Sequence, residues 1–449
     1  MQTQPISALR EAMRGHLLVA GDDGYDQARR LWNATVDSTP EAIARCADRE
    51  DVQRAVSFAI DHGHPIAVRG GGHSIPGFST CDGGFVIDLT LMRGITVDPD
   101  GRSARAQGGV TVGEFDDATQ KYGLATTFGI VSTTGIAGLT LGGGVGWLMR
   151  KHGLACDNLR SLQIATADGK LITASPEENP ELFWGMKGGG GNFGVVTSFE
   201  FDLHPVGPIV FGGKVGYPPQ SRRDLLHFYR GLTHDAPEEL TAYLALTAGP
   251  DGAPLAALAA CYAGSVADGE KALATAHAVV GSPVVDTLGP VPYVEQQRML
   301  DAGFPPGEYH YWRSCFLDDL TDDVIDVLVE QSAAMAAPPL LEIVVEHMGG
   351  AIRSGDGAFA HRAASYDVLI DANWIDPRDG DRCIAWARET AAALEPFARA
   401  GGYVNYEPDT GRPGAGAAYG QAYDRLQALK GKYDPRNVFR RNQNIEPLS

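Results

Sequence analysis

Positive charge is scarce in this chain of 449 residues: lysine and arginine number 37 against 56 aspartates and glutamates, a formal balance of −19. A surface of that sign repels polyanions, so neither nucleic acid nor an anionic membrane is expected as a partner without a local basic patch, and none is visible. Long apolar runs are also missing; no stretch approaches the roughly 18 continuous apolar residues of a spanning helix. Residues 1–14 are charged and polar throughout and lack the basic-then-apolar order of a secretory signal, so a cytoplasmic protein is expected. Cysteine is sparse and scattered. Cys46, Cys81, Cys156, Cys261, Cys315 and Cys383 show no paired spacing, which argues against a metal site or a disulfide framework and makes them buried thiols.

What is present is an ordinary globular composition, 44% hydrophobic and 21% charged, in a chain longer than the usual single domain. Apolar residues at helical spacing predict a helix over 51–63, followed by a short strand at 66–68 that runs into Arg69-Gly70-Gly71-Gly72-His73-Ser74. Further strands are expected at 85–89, 94–97, 162–167 and 195–203, with Asp168-Gly169 as a hairpin turn before Leu171-Ile172. Around 205–208 the glycine-rich texture gives way to longer alternations, with helices at 268–280 and 321–336 and strands near 341–348 and 366–374. From about Gly401 the aromatic, glycine and asparagine-rich texture returns.

Three segments, 69–77, 135–146 and 188–194, are dense in glycine. Glycine lets backbone N–H groups converge on an anion without side-chain clashes, and one such loop alone would equally be a tight turn. Three, two of them fed by strands, point to a dinucleotide. At Gly71 a side chain would add bulk against the pyrophosphate and demand a positive φ. Gly189-Gly190-Gly191-Asn192-Phe193-Gly194 matches G-x-G-x-x-G but leads into a strand-like run, whereas a Rossmann loop opens a helix; a Walker motif is absent. The dinucleotide therefore calls for a different fold.

Arg69 to Ser74, Gly135 to Trp147, Lys151-His152-Gly153-Leu154-Ala155-Cys156-Asp157-Asn158, Glu181-Leu182-Phe183-Trp184 to Val196, and the ending Tyr433-Asp434-Pro435 to Ile445 together resemble the berberine bridge enzyme-like flavoproteins of the vanillyl-alcohol oxidase superfamily. The resemblance implies an α+β fold: a PCMH-type FAD-binding domain of two subdomains over 1–207, a substrate domain with an antiparallel sheet flanked by helices over 208–400, and a C-terminal segment, 401–449, returning to the FAD domain. It implies FAD attached covalently through His73 to the flavin 8α carbon. It further implies FAD contacts from Arg69, Gly70, Gly71, Gly72, Ser74 and Gly77 in the first loop and from Thr134, Gly135, Gly138, Gly142, Gly143 and Gly146 in the second. Val195, Asn442 and Asn444 complete the set. Many relatives carry a second link from a cysteine eleven residues before the first glycine of the triple; here that position is Val131. In this the chain is closer to the singly linked 6-hydroxynicotine oxidase type.

A flavin oxidase needs a base where the substrate loses its proton. Read as a strand, 402–406 puts Val404 and Tyr406 on one face and Tyr403 and Asn405 on the other. Tyr406 matches the family's active-site tyrosine, although the pair Tyr403 and Tyr406 also suits a plain aromatic core. Glu342, Val344, Glu346 and Met348 share one strand face, and Glu346 stands where the family can place an acid; a solvated or ion-paired glutamate is the alternative. Asp367, Leu369, Asp371 and Asn373 form a second polar row, facing a pocket or water. The expected activity is hydride transfer from a small alcohol, amine, sugar or natural product to FAD, with dioxygen as the second partner and hydrogen peroxide as product. A dehydrogenase with another acceptor, and a flavin-binding protein with little turnover, remain as alternatives.

Overall fold

The computed structural model describes residues 3–249, 252–333, 340–408 and 411–448. The helix expected over 51–63 is Arg49–Asp61, with Val52, Ala55, Val56 and Ala59 buried. Its start is set by Asp48, whose carboxylate accepts the Asp51 N–H at 2.8 Å. The helix crosses from the strand Ala42–Arg45 to Ile66–Arg69; both run parallel to Phe85–Asp88, which lies between them. A parallel arrangement needs such a crossover. One consequence fixes the site: the chain leaves Ile66–Arg69 directly into the first glycine loop.

A second sheet of five antiparallel strands runs in the order Ile95–Asp98, Ser103–Gln107, Val195–Asp202, Leu159–Ala165, Leu171–Ala174. The turn at Asp168-Gly169 closes its last hairpin, with Gly169 at φ 75°. The third glycine segment ends as expected in a strand rather than a helix.

The third sheet has eight strands, all paired antiparallel, and helices cover one face. Its strands Leu340–His347 and Tyr366–Trp374 sit where the sequence places them. Of the helices, 268–280 becomes Val266–Leu273 followed by a tighter turn at Ala274–Ala278, and 321–336 becomes Asp322–Ala333. Residues 334–336 lie outside the described residues. Along Tyr366–Trp374, Val368, Ile370, Ala372 and Trp374 pack with Leu225, Val324, Ile325, Trp386 and Ala387 of the covering helices. The alternate residue Leu369 joins the core shared with the five-stranded sheet. All nine residues of the strand are therefore buried. Neither placement expected for the polar row holds for its polar members: Asp367, Asp371 and Asn373 are buried from water, and of the row only Leu369 lines the cavity described below.

The C-terminal segment is held against the third glycine segment. Lys430, fully buried, donates to Asp434 at 2.7 Å and to the carbonyls of Asn192 and Phe439 at 2.7 and 2.8 Å, so its charge is paired and its protons are satisfied. The Ile445 N–H donates to the Asn192 side chain at 3.0 Å. Among the described residues no helix is long and apolar enough to cross a membrane.

Candidate active site

The three glycine segments, the C-terminal segment and the large sheet meet around a cavity of about 300 Å³. The first loop contributes Gly70, Gly71, Gly72, His73 and Ser74, the second Thr134, Gly135 and Gly138, and the tail Asn442. The first two loops touch backbone to backbone. A Cβ on Gly71 would stand 2.4 Å from the Gly135 nitrogen, and one on Gly135 2.3 Å from the Gly71 nitrogen. Closeness, not conformation, requires glycine at 71; the positive φ falls on Gly72, at 76°. This corrects the expectation for Gly71. Gly71→Val forces the loops apart, and overpacking of that kind costs about 1–3 kcal/mol. FAD content per mole of purified protein is expected to fall roughly tenfold or more, by absorbance.

Other residues assigned to the cofactor lie off the cavity wall. Arg69 turns its guanidinium to the Ala28 carbonyl. A Cβ on Gly77 would meet the Val36 side chain, on Gly142 the Asn405 amide, on Gly143 the Phe359 ring and on Gly146 the Phe128 carbonyl. These glycines allow close packing. Val195 is fully buried in the core beside the four-stranded sheet. Asn444 is outside the lining too, with a buried amide oxygen that has no partner among the described residues. Val131 lines the cavity, whereas Cys156 is wholly buried elsewhere, its thiol pushed up by burial.

His73 presents a ring to the cavity and donates one N–H to the Thr133 carbonyl. Burial pulls its pKa down to about 4, against the smaller opposing effect of that hydrogen bond. At neutral pH the imidazole is therefore uncharged. With one nitrogen donating, the other keeps its lone pair.

On the sheet side the wall is Trp312, Leu369 and Tyr406. Residues 402–406 form a turn, not the expected strand: the Tyr406 N–H donates to the Tyr403 carbonyl at 2.9 Å. Tyr403, Val404, Asn405 and Tyr406 all reach the cavity as a result. Tyr403 accepts at its hydroxyl from the Gly144 N–H and the Asn405 amide, both at 2.8 Å, which anchors the turn to the second glycine loop. The Tyr406 ring stands edge-on to Tyr403 at 4.8 Å and to Trp312 at 5.5 Å. Its hydroxyl donates to Glu346 Oε1 at 3.0 Å. The two residues singled out for chemistry are thus brought together.

Glu346 is fully buried, and its cross-strand partner is Asp367. Glu346 Oε2 and both Asp367 oxygens have no hydrogen-bond partner among the described residues. Burial raises Glu346 to about 8, offset in part by the bond from Tyr406. Burial first, and then the Glu346 charge, hold Asp367 and the Tyr406 phenol well above their ordinary values. Two carboxylates opposite each other in an apolar layer cannot both ionise at little cost, so the pair is held largely protonated near neutrality. Trp312, Arg441 and Gln443 also line the cavity and were missed. Strand alternation through Tyr309–Leu317 was the available signal for Trp312.

A cavity walled by glycine loops, with a neutral histidine in one of them and a phenol bonded to an acid of the large sheet, defines an FAD-linked oxidoreductase. A family model described as FAD binding domain matches residues 40–175, and one described as berberine and berberine like matches residues 402–446. The (R)-6-hydroxynicotine oxidase of Paenarthrobacter nicotinovorans is 33% identical, covering 97% of each chain. The solved structure of 6-hydroxy-D-nicotine oxidase from Arthrobacter nicotinovorans superposes with a TM-score of 0.90 at 30% identity, covering 97% of this chain and 98% of that one. A glucooligosaccharide oxidase from Acremonium strictum, described as carrying 6-S-cysteinyl, 8α-N1-histidyl FAD, superposes with a TM-score of 0.88 at 25% identity, over 99% and 100% of the two chains. The chain belongs to the berberine bridge enzyme-like family of FAD-linked oxidoreductases.

Proposed function

We propose that the protein is an oxidase that carries FAD on His73 alone and oxidises a small organic substrate with dioxygen as acceptor. The observation that carries this reading is that His73 and Tyr406 line one cavity, with Glu346 buried behind the Tyr406 hydroxyl that donates to it. The residues fit the cofactor: glycines at 71 and 135 leave no side chain between the loops, the His73 nitrogen is free, and the buried Asn442 amide oxygen lacks a donor among the described residues. When bound, FAD supplies the two-electron acceptor that takes a hydride from carbon and is returned to its oxidised form by dioxygen, giving hydrogen peroxide.

The protein's own part is the proton. An ionised Tyr406 is costly in this setting, because burial and Glu346 both oppose it. The geometry instead suits a relay. A substrate O–H or N–H proton passes to the Tyr406 oxygen while the Tyr406 proton crosses 3.0 Å to the Glu346 carboxylate. Substrates are therefore small molecules with a hydroxyl or amine on the carbon that loses hydride. The glucooligosaccharide named for one relative, a polyol, meets that requirement.

Glu346 must be ionised to accept the proton, and its pKa is raised to about 8. The reductive rate accordingly rises with pH through that region and levels off above it. Glu346→Gln keeps an oxygen for Tyr406 but cannot titrate, so its flavin reduction should be slow and lack that limb; an unchanged profile would remove Glu346 from the relay. The overall reading is tested by scoring sugars, alcohols, amines and phenols for anaerobic bleaching of the flavin band, then admitting air. Rapid return of the band is expected. Slow return that an added quinone accelerates would make the protein a dehydrogenase.

A further inference from the structure

Trp32 lies behind the imidazole of His73, off the cavity wall, and is only 6% exposed. Its ring stacks on His73 with centroids 5.0 Å apart and planes 14° apart, and on His310 at 3.9 Å and 21°. The column is braced at both ends. The Trp32 N–H donates to the Gly72 carbonyl at 3.2 Å, and its indole N–H to the Phe304 carbonyl at 3.1 Å. The neighbouring Asn33, fully buried, donates its amide to the carbonyls of Ile75 at 2.8 Å and His310 at 3.0 Å, and accepts the His310 N–H at 3.0 Å. Two residues from the N-terminal part of the chain thus tie the His73 loop to the first residues of the Tyr309–Leu317 strand.

We propose that Trp32 is a positioning residue for covalent attachment of the flavin, its indole face holding the His73 imidazole in the one plane from which the free nitrogen can bond to the cofactor. This rests on the reading that His73 carries FAD. An imidazole has two torsions to fix. The Thr133 carbonyl, accepting one ring N–H, selects which nitrogen is free; it leaves the ring able to tilt about that hydrogen bond. The Trp32 face removes the tilt, and the close stack on His310 keeps the indole from yielding. Neither ring brings a charge near His73 at neutral pH, since burial also pulls His310 down to about 4, so the imidazole stays uncharged and nucleophilic. In the attachment, one C–H bond of the 8α-methyl group and one imidazole N–H bond are lost and one C–N bond forms. The two protons and two electrons leave to dioxygen as hydrogen peroxide. Such a bond-forming step is sensitive to misalignment of the attacking atom by on the order of 1 Å.

The test uses purified protein as expressed, with total FAD read by absorbance and covalent FAD by the flavin retained in the acid-precipitated pellet. Trp32→Leu keeps bulk but no flat face. It should hold FAD at close to native stoichiometry, with the covalent share at harvest reduced about tenfold and growing only slowly on incubation in air. Trp32→Phe restores a stacking face and should restore most of the link. Native attachment in Trp32→Leu overturns the proposal. So does loss of all FAD, covalent or not, because Trp32 would then shape the binding cavity rather than the imidazole, and so does a Phe variant as deficient as Leu. Should Trp32→Leu not fold, His310→Leu removes the ring stacked on the indole and is expected to slow attachment in the same direction; unchanged attachment there overturns the proposal. Flavin freed by acid from the native protein would instead show that attachment to His73 itself is wrong.

Discussion

His73→Ala protein, denatured with acid and centrifuged, leaves its flavin in the supernatant, whereas the native pellet keeps the fluorescence on a gel. The expected effect is complete, because in the proposed attachment His73 supplies the nucleophilic nitrogen and neither candidate for a second link can replace it. Val131 occupies the position of the family's second link and has no nucleophile. Cys156 is wholly buried off the cavity, and its thiol is pushed up by burial, so little thiolate forms. Binding without the bond should persist in part, since the contact between the loops at Gly71 and Gly135 does not depend on the imidazole. Fluorescence retained in the denatured mutant would remove His73 as the point of attachment.

Tyr406→Phe slows flavin reduction by about 10²-fold or more, the scale of a general base, equal to about 2.7 kcal/mol or more in the barrier. The ring is kept, so its edge contacts with Tyr403 and Trp312 persist and folding and flavin content should be native. Only the hydroxyl that donates to Glu346 is lost. Apparent substrate affinity, from the concentration dependence of the reductive rate under anaerobic conditions, should change much less. Native-rate reduction would take Tyr406 out of the relay and turn attention to Glu346 acting directly, or to Asp367 and Asp371 behind it.

The loops that build the cavity were legible because their requirement is local. Where two backbones must meet, as at Gly71 and Gly135, no residue but glycine fits, and that shows in any sequence. Glycine serves close packing as readily as ligand approach, however, and Gly142, Gly143 and Gly146 turn out to make room for Asn405, Phe359 and Phe128. The turn at 402–406 was misread because five residues of alternating texture suit a strand and a turn alike; the hydrogen bond from Gly144 that anchors Tyr403 comes from a distant loop. Tyr406 and Glu346 were each found by pattern, yet the bond between them was not, since pairing across 60 positions leaves no periodic trace. The burial of Asp367 and Asp371 depends on what covers the sheet's second face. Trp32 carried no signal, because its meaning lies in two histidines brought into stacking contact with it by the fold.

Proteolysis of the purified native protein, with mass spectrometry of the flavin-bearing fragments, tests the attachment most directly. One such peptide is expected, containing His73 and bearing a single FAD-derived mass. A flavin mass on the peptide containing Cys156, or no flavin-bearing peptide at all, would contradict attachment through His73 alone.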